Sequence, residues 1–173
     1  ATHAPPPATT LPRVAILVAA RNEEERLPRC IEALLAQDYP ADRLAIYVAD
    51  DHSTDGTAAV VRRYQERAVG TLAVAGETAL DGPEASPLRY VAVPDPVGEL
   101  YGKANAIHAA AEASDEELLL ITDADCAPPP EWVRRHVAYF EEHPQVGVVC
   151  GHTYVEHATP CEAVQALDWA YLL

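Results

Sequence analysis

Short apolar runs alternate along this chain with longer stretches of helical periodicity, and that alternation limits the fold more than any other feature. The apolar runs lie at residues 14–20, 44–49, 88–93, 118–121 and 146–150. The first, Val14-Ala15-Ile16-Leu17-Val18-Ala19-Ala20, is apolar at every position rather than at every second one, as strands covered on both faces are. Between the runs, Leu27, Ile31, Leu34 and Leu35 recur at helical spacing, as do Val60, Val61 and Tyr64. Residues 103–113 form an alanine-rich helical stretch, and 131–142 carry Trp132, His136 and Phe140 along one side. The first helix spans roughly residues 24–37, but Pro28 is tolerated only in a first turn, which moves the regular start toward Leu27. Residues 71–87 and 94–102 read as a surface excursion and a long loop, and Pro128-Pro129-Pro130 as loop. Strands alternating with helices predict an α/β domain, a mainly parallel sheet with helices on both faces.

The length of 173 residues suits one such domain. Residues 1–12, with Pro5-Pro6-Pro7, are expected to be a disordered, extended lead-in, residues 13–157 the folded domain, and residues 158–173 an amphipathic helix. That last segment places Val164, Leu167, Ala170 and Tyr171 at helical spacing, with Trp169 and Leu172 beside them. It either covers a sheet edge or begins an acceptor-binding or membrane region beyond Leu173. A net charge of −15 argues against nucleic acid or an anionic membrane surface as a general partner, since both demand positive charge on the protein. A bound anion would need a local cation, and the one lysine is Lys103. Cys30, Cys126, Cys150 and Cys161 form no C-x-x-C pair and read as reduced thiols of an intracellular protein. No apolar run reaches 18 residues, so the chain itself reads as soluble.

In an open α/β sheet, ligands bind beyond the carboxyl ends of the strands. Polar residues gather there. Arg21, Asn22 and Glu23 end the first strand, Asp50 and Asp51 the second, Asp95 lies past the third, and Asp123 and Asp125 close the fourth. Residues two apart on a strand point to one side, so Asp123 and Asp125 are expected to converge on one ligand. Two hard oxygen donors suit Mg²⁺ or Mn²⁺, which arrives holding substrate phosphates. An ionised carboxylate only accepts hydrogen bonds, so Asp51 suits a donor such as the N3–H of uracil. Lys103 follows Gly102 at a helix start, where cation and helix terminus both favour phosphate. Taken together, these residues describe a nucleoside-diphosphate site. Taken singly, each has a plainer meaning: Asp123 and Asp125 as an acidic turn, Asp50 and Asp51 as turn and cap residues, Glu23 and Glu24 as a solvated first turn, Lys103 as surface charge. His108 and His136 fit ordinary packing, and His52 stands near the crevice with nothing in the sequence to pair with it. No G-x-G-x-x-G or Walker pattern is present.

Four motifs now stand in order: Val18-Ala19-Ala20-Arg21-Asn22-Glu23-Glu24, Asp50-Asp51-His52-Ser53-Thr54-Asp55-Gly56-Thr57, Gly102-Lys103-Ala104-Asn105-Ala106, and Asp123-Ala124-Asp125 with Pro128-Pro129-Pro130-Glu131-Trp132. Over residues 14–155 this series resembles the nucleotide-sugar-binding half of the family 2 glycosyltransferases, which have the Rossmann-like GT-A fold. The resemblance implies a UDP- or GDP-linked sugar donor held with Mn²⁺ or Mg²⁺, and inverting transfer to a hydroxyl of a carbohydrate or lipid acceptor. By analogy Ala19, Arg21 and Glu23 would line base and ribose, with Asp50 and Asp51 at the base. Asp123 would sit near the ribose or a metal-bound water, Asp125 would ligate the metal, and Lys103 and Asn105 would support the diphosphate. Lipid-acceptor members often carry membrane spans, which implies a full-length protein at the cytoplasmic face of a membrane. The chain departs from the pattern at Ala19, where Pro is frequent, and at His52, where Gly is frequent. The family's catalytic base, in a Glu-Asp or similar pair, and its Gln-x-x-Arg-Trp motif are absent, so the base is expected outside this chain. A sugar nucleotidyltransferase is the rival enzyme class, but it requires a glycine-rich basic loop where Arg21-Asn22-Glu23 stands. A nucleotide-binding module without turnover is the other alternative.

Overall fold

The computed structural model describes residues 11–74, 86–96 and 100–151, with the backbone alone for residues 68–74. By contact the chain divides into two compact units, Ala1–Glu141 and Glu142–Leu173. The first contains a sheet of β1 (Val14–Ala20), β2 (Leu44–Asp50), β3 (Leu88–Ala92) and β4 (Leu118–Asp123). All neighbours are parallel and the order is β3-β2-β1-β4. The helices are α1 (Leu27–Leu35), α2 (Thr57–Val74), α3 (Lys103–Glu112) and α4 (Trp132–Glu142). From β1 the chain steps outward through β2 to β3, then returns to lay β4 on the other side of β1. The strand order therefore reverses between β1 and β4, and a crevice opens at such a switch point.

The central strand explains both layers of the core. Val14, Ile16 and Val18 face Leu27, Ile31 and Leu34 of α1, Val60 and Val61 of α2, and Val133 and Val137 of α4. Ala15 and Leu17 face the other way, with Ala45, Tyr47 and Ala49 of β2, against Ala106 and Ala110 of α3. Small side chains on that face let α3 lie close to the sheet at interior packing density. Helices thus cover both faces, as the alternation predicts. Pro28 sits in the first turn of α1, whose start at Leu27 follows from the missing N–H of proline.

Three expectations are corrected. The run ending in Asp123 is not buried throughout: Leu120 is covered, but Leu119 and Ile121 are 45% and 54% exposed. The reason is position, because β4 lies at the edge of the described sheet and α3 packs on β1 and β2. Thr71, predicted to open a surface excursion, lies inside α2, which continues to Val74. Residues 146–150 form no strand; Val146 N–H closes a turn on His143 O at 2.9 Å, and Val148 is 80% exposed. A strand persists through its ladder, and no described residue pairs with this run. The lead-in at residues 1–10, the helix at 158–173 and the remainder of the excursion at 75–85 lie outside the described residues.

Candidate nucleotide site

The loops after β1 and β2 are built as one piece. Asn22 takes a left-handed conformation, φ 56°, which asparagine tolerates better than most residues. Its N–H donates to Ser53 Oγ at 2.9 Å, and its Oδ1 accepts the Thr54 N–H at 2.8 Å. Glu23 N–H donates to Thr57 Oγ1 at 2.9 Å and Glu24 N–H to Asp55 Oδ2 at 3.1 Å. In return Gly56 N–H donates to Glu24 Oε2 at 2.8 Å. Asp55 also caps α2 through Thr57 N–H at 2.9 Å, and these donors hold its carboxyl below the usual range, the Thr57 hydroxyl foremost. The bonds satisfy strand-end and helix-start N–H groups that have no ladder partner. Asn22, Ser53, Thr54, Asp55, Gly56 and Thr57 thus act as braces, a role that the turn-like spelling of the motif indicates only for α2.

Among the residues expected at the base, Asp50 and Asp51 part company. Asp50 turns inward: one oxygen accepts Ser53 N–H at 3.0 Å, the other the Tyr90 hydroxyl at 2.9 Å. Burial and that carboxylate push the Tyr90 phenol above its ordinary range. Asp51 points instead to Arg21, its side chain 11% exposed, with Oδ2 3.4 Å from Arg21 Nη1. His52 follows at φ 57° and lays Nδ1 3.2 Å from Asp51 Oδ1 and Nε2 3.4 Å from Asp95 Oδ1. Glu23 offers Oε2, which is buried and has no hydrogen-bond partner beyond the ionic contact at 3.6 Å with Arg26 Nη1. Ala19 lies between Ala49 of β2 and Asp123 of β4 in the sheet register.

Across the switch point, β4 ends at Asp123 and the chain turns at once, Cys126 N–H donating to Asp123 O at 3.1 Å. Asp125 therefore belongs to a turn rather than to the strand, which corrects the expected same-side strand geometry. Both carboxylates are exposed. Lys103, at the start of α3, is ion-paired with Asp123. Gly102 before it has φ 54°, a conformation glycine adopts without strain. Asn105 is buried and donates its amide to Pro94 O at 3.0 Å, which ties α3 to the loop after β3.

Gln37, which nothing in the sequence singles out, holds the loop beyond Asp125. Its Nε2 donates to Ala33 O at 3.0 Å and Pro129 O at 2.9 Å, and its Oε1 accepts Val133 N–H at 3.1 Å. Asp38 N–H adds a bond to Pro130 O at 2.7 Å, while Arg134 grips the Asp38 carboxylate with two nitrogens. Cys30 lies beneath, its thiol 3.5 Å from Asp123 O. Burial, and then the neighbouring Cys126, push it up to about 12. Among the described residues no group of three or more His, Cys, Asp or Glu side chains is arranged to hold a metal ion. Asp123 and Asp125 supply two hard oxygen donors, and a cation there would need oxygens from its ligand and from water. Burial and then Asp125 raise the adjacent Cys126 thiol above its ordinary range.

A family model described as glycosyltransferase like family 2 matches residues 12–172. The chain belongs to that family. Among relatives in the family, the beta-monoglucosyldiacylglycerol synthase of Synechocystis sp. is 29% identical over 129 residues, 75% of this chain and 23% of that protein. Glycosyltransferase AglE of Haloferax volcanii is 28% identical over 130 residues, 75% of this chain and 36% of that protein. The structure is similar to mannosyltransferase PcManGT from Pyrobaculum calidifontis, solved in complex with GDP-Man and Mn²⁺. That match has a TM-score of 0.64 and 32% identity, and covers 87% of this chain and 38% of that one. The fold is accordingly α/β of the GT-A type. This chain spans about a quarter to two fifths of the length of these relatives. Among the described residues no helix is long and apolar enough to cross a membrane.

Proposed function

We propose that this chain is the donor-binding part of a metal-dependent, inverting glycosyltransferase that uses a nucleoside-diphosphate sugar. The observation that carries the proposal is the convergence, on one switch-point crevice, of a base-type acceptor on one side and the cation and carboxylates of a diphosphate site on the other. Asp51 stands at the β2 end, while Lys103, Asp123 and Asp125 stand at the β4 end, and Ala19 lies between them.

Each residue then has a task set by its chemistry. Asp51, ionised, accepts a ring N–H of the base, with Arg21 beside it as a donor. Glu23 Oε2 suits a ribose hydroxyl, because this buried oxygen accepts no hydrogen bond and has only the longer ionic contact with Arg26. Lys103 takes a diphosphate oxygen at the start of α3, where the helix terminus adds to its charge. Asp125, with Asp123, would hold Mn²⁺ or Mg²⁺, which neutralises charge on the departing diphosphate. Asp50 and Asn105 act as positioning residues, fixing the loops that carry Asp51 and Lys103. In an inverting displacement the acceptor hydroxyl loses its proton to a base as it attacks the sugar carbon and the nucleoside diphosphate leaves. That base is assigned to sequence beyond this chain, as is the site for a carbohydrate or lipid acceptor. Placement at the cytoplasmic face of a membrane fits the similarity to a synthase whose name specifies a glycolipid.

Calorimetric titration of UDP, GDP and UDP-sugars with and without Mn²⁺ tests the reading. We expect metal-dependent binding, and we expect Asp125→Ala to remove the metal-dependent part while circular dichroism stays unchanged. Binding that is indifferent to metal, or no binding at all, overturns the proposal.

A further inference from the structure

We propose that His52 works as an imidazolium, a positioning residue that ties the loop after β2 to the loop after β3 and so makes nucleotide affinity fall as pH rises; the effect on affinity rests on the donor-site reading above. The ring stands between two carboxylates from different parts of the chain. Nδ1 is 3.2 Å from Asp51 Oδ1, and Nε2 is 3.4 Å from Asp95 Oδ1. An ionised carboxylate only accepts, whereas a neutral imidazole has one N–H and one bare lone pair. Whichever nitrogen were bare would turn its lone pair on a carboxylate. Only the doubly protonated ring presents a donor, and a positive charge, to both. Among the described residues, the charged groups paired around the ring are Asp51, Asp95 and, on the far oxygen of Asp51, Arg21 at 3.4 Å. The His52 side chain is 48% exposed, so it exchanges a proton with solvent directly.

What the two carboxylates are attached to gives the contact its consequence. Asp51 is the base acceptor of the proposed site. Asp95 follows Pro94, whose carbonyl accepts the Asn105 amide at 3.0 Å, and Asn105 shares the first turn of α3 with Lys103. Val93 N–H donates to Asp50 O at 3.2 Å, which brings the start of this loop beside the end of β2. His52 thus closes a line of contacts from Asp51, at the base end of the crevice, through Asp95 and Asn105 to Lys103, at the phosphate end. When the ring loses a proton, one of its two contacts turns repulsive. Asp95, with a side chain 98% exposed, is the partner free to leave, while Asp51, at 11%, is not. Exposed ion pairs of this kind contribute little stability, so the expected change lies in the placement of the β3 loop rather than in folding.

Nitrogen-15 NMR of the imidazole rings in the whole chain, with His52→Gly to assign the His52 signals, reads the charge without any ligand. Histidine changes charge between about pH 5 and 8, and Asp95→Asn should shift the His52 midpoint downward by removing one of the two charges that hold the proton. UDP-glucose and GDP-mannose are then titrated in Mg²⁺, because a diphosphate esterified at both ends does not change charge over that range. We expect the one that binds to do so at least about threefold more tightly at about pH 6 than at about pH 8, a ratio that shrinks toward one in Asp95→Asn and His52→Gly. A His52 midpoint unmoved by Asp95→Asn overturns the imidazolium tie and leaves the donor-site reading standing. A midpoint that moves, with an affinity ratio equal in the wild type and His52→Gly, overturns its bearing on nucleotide. Absence of binding by both sugar nucleotides overturns the donor-site reading and the effect on affinity with it, while NMR still decides the charge of the ring.

Discussion

Replacing Gly56 by alanine probes whether the two strand-end loops depend on each other. A Cβ at this position would lie 2.7 Å from Glu24 Cδ and Oε1, and 3.0 Å from Oε2. Those atoms end a flexible side chain, so the carboxylate swings aside and the fold survives. It cannot swing aside and keep the 2.8 Å bond from Gly56 N–H. The loss is one hydrogen bond to a charged acceptor in an exposed setting, about 1 kcal/mol. Gly56 also precedes α2 and accepts Val60 N–H at 3.0 Å, a helix-cap position where alanine is inferior to glycine by up to about 1 kcal/mol. Together these predict about 1–2 kcal/mol, which lowers the melting temperature by roughly 2–8 °C for a chain of this size. Nucleotide affinity should fall with it, because the brace positions Arg21 and Glu23. Thermal melts of Gly56→Ala, Glu24→Ala and the double variant separate the two terms. If alanine acts through Glu24, its cost in the Glu24→Ala background shrinks to the cap term, a coupling of about 1 kcal/mol. Equal cost in both backgrounds refutes the brace.

Gln37→Leu keeps volume but strands Val133 N–H, while Pro129 O keeps the Trp132 N–H; urea unfolding should show a loss of about 1–3 kcal/mol, and a loss under 1 kcal/mol would mean that water replaces the amide. Burial pushes both Tyr39 and Tyr47 from 10.0 up to about 12. Between those values the unfolded chain has given up protons that the folded chain keeps, so stability is full below about pH 10 and declines toward pH 12. A urea midpoint that does not move across that window would contradict the burial of these phenols. Cys30, raised from 9.0 to about 12, holds on the order of a thousandfold less thiolate at neutral pH than an ordinary thiol. Alkylation followed by peptide mass analysis should find it unmodified in the folded chain while the exposed Cys150 reacts, and equal labelling would count against the buried site beneath Asp123.

What was legible in the sequence was what a single strand or helix decides for itself. Continuous apolarity sets β1, and Pro28 places the start of α1, because both depend on local chemistry alone. The exposed face of β4 was not legible, since Leu119 and Ile121 are covered or bare according to which helix crosses the sheet, not by their own character. The same holds within the motifs. Asp50 and Asp51 are adjacent and identical, and only the strand end separates an aspartate bonded to Tyr90 from one paired with Arg21. His52 pairs with Asp95, 43 positions along the chain, through the neighbouring β2 and β3. Asn22 meets Thr54 because β1 and β2 run in register, Ala20 beside Asp50. Residue type therefore pointed to the strand ends, while register decided the contacts made there.

The charge of the chain makes the site's design intelligible. A protein of net charge −15 repels a diphosphate, and Lys103, its one lysine, is already paired with Asp123 in the structure. A diphosphate alone would have to separate that pair and would leave Asp123 facing it as an uncompensated like charge. A divalent cation alone would leave Lys103 without its partner. Only a ligand that brings both signs together, anion toward Lys103 and cation toward Asp123 and Asp125, replaces every partner it displaces. On the proposed donor-site reading the pair acts as an internal stand-in for the ligand: it keeps the two charges satisfied before binding. Because each ligand charge would need the other to offset what it disturbs, the proposed site predicts that metal and nucleotide affinities are coupled, and the coupling is reciprocal.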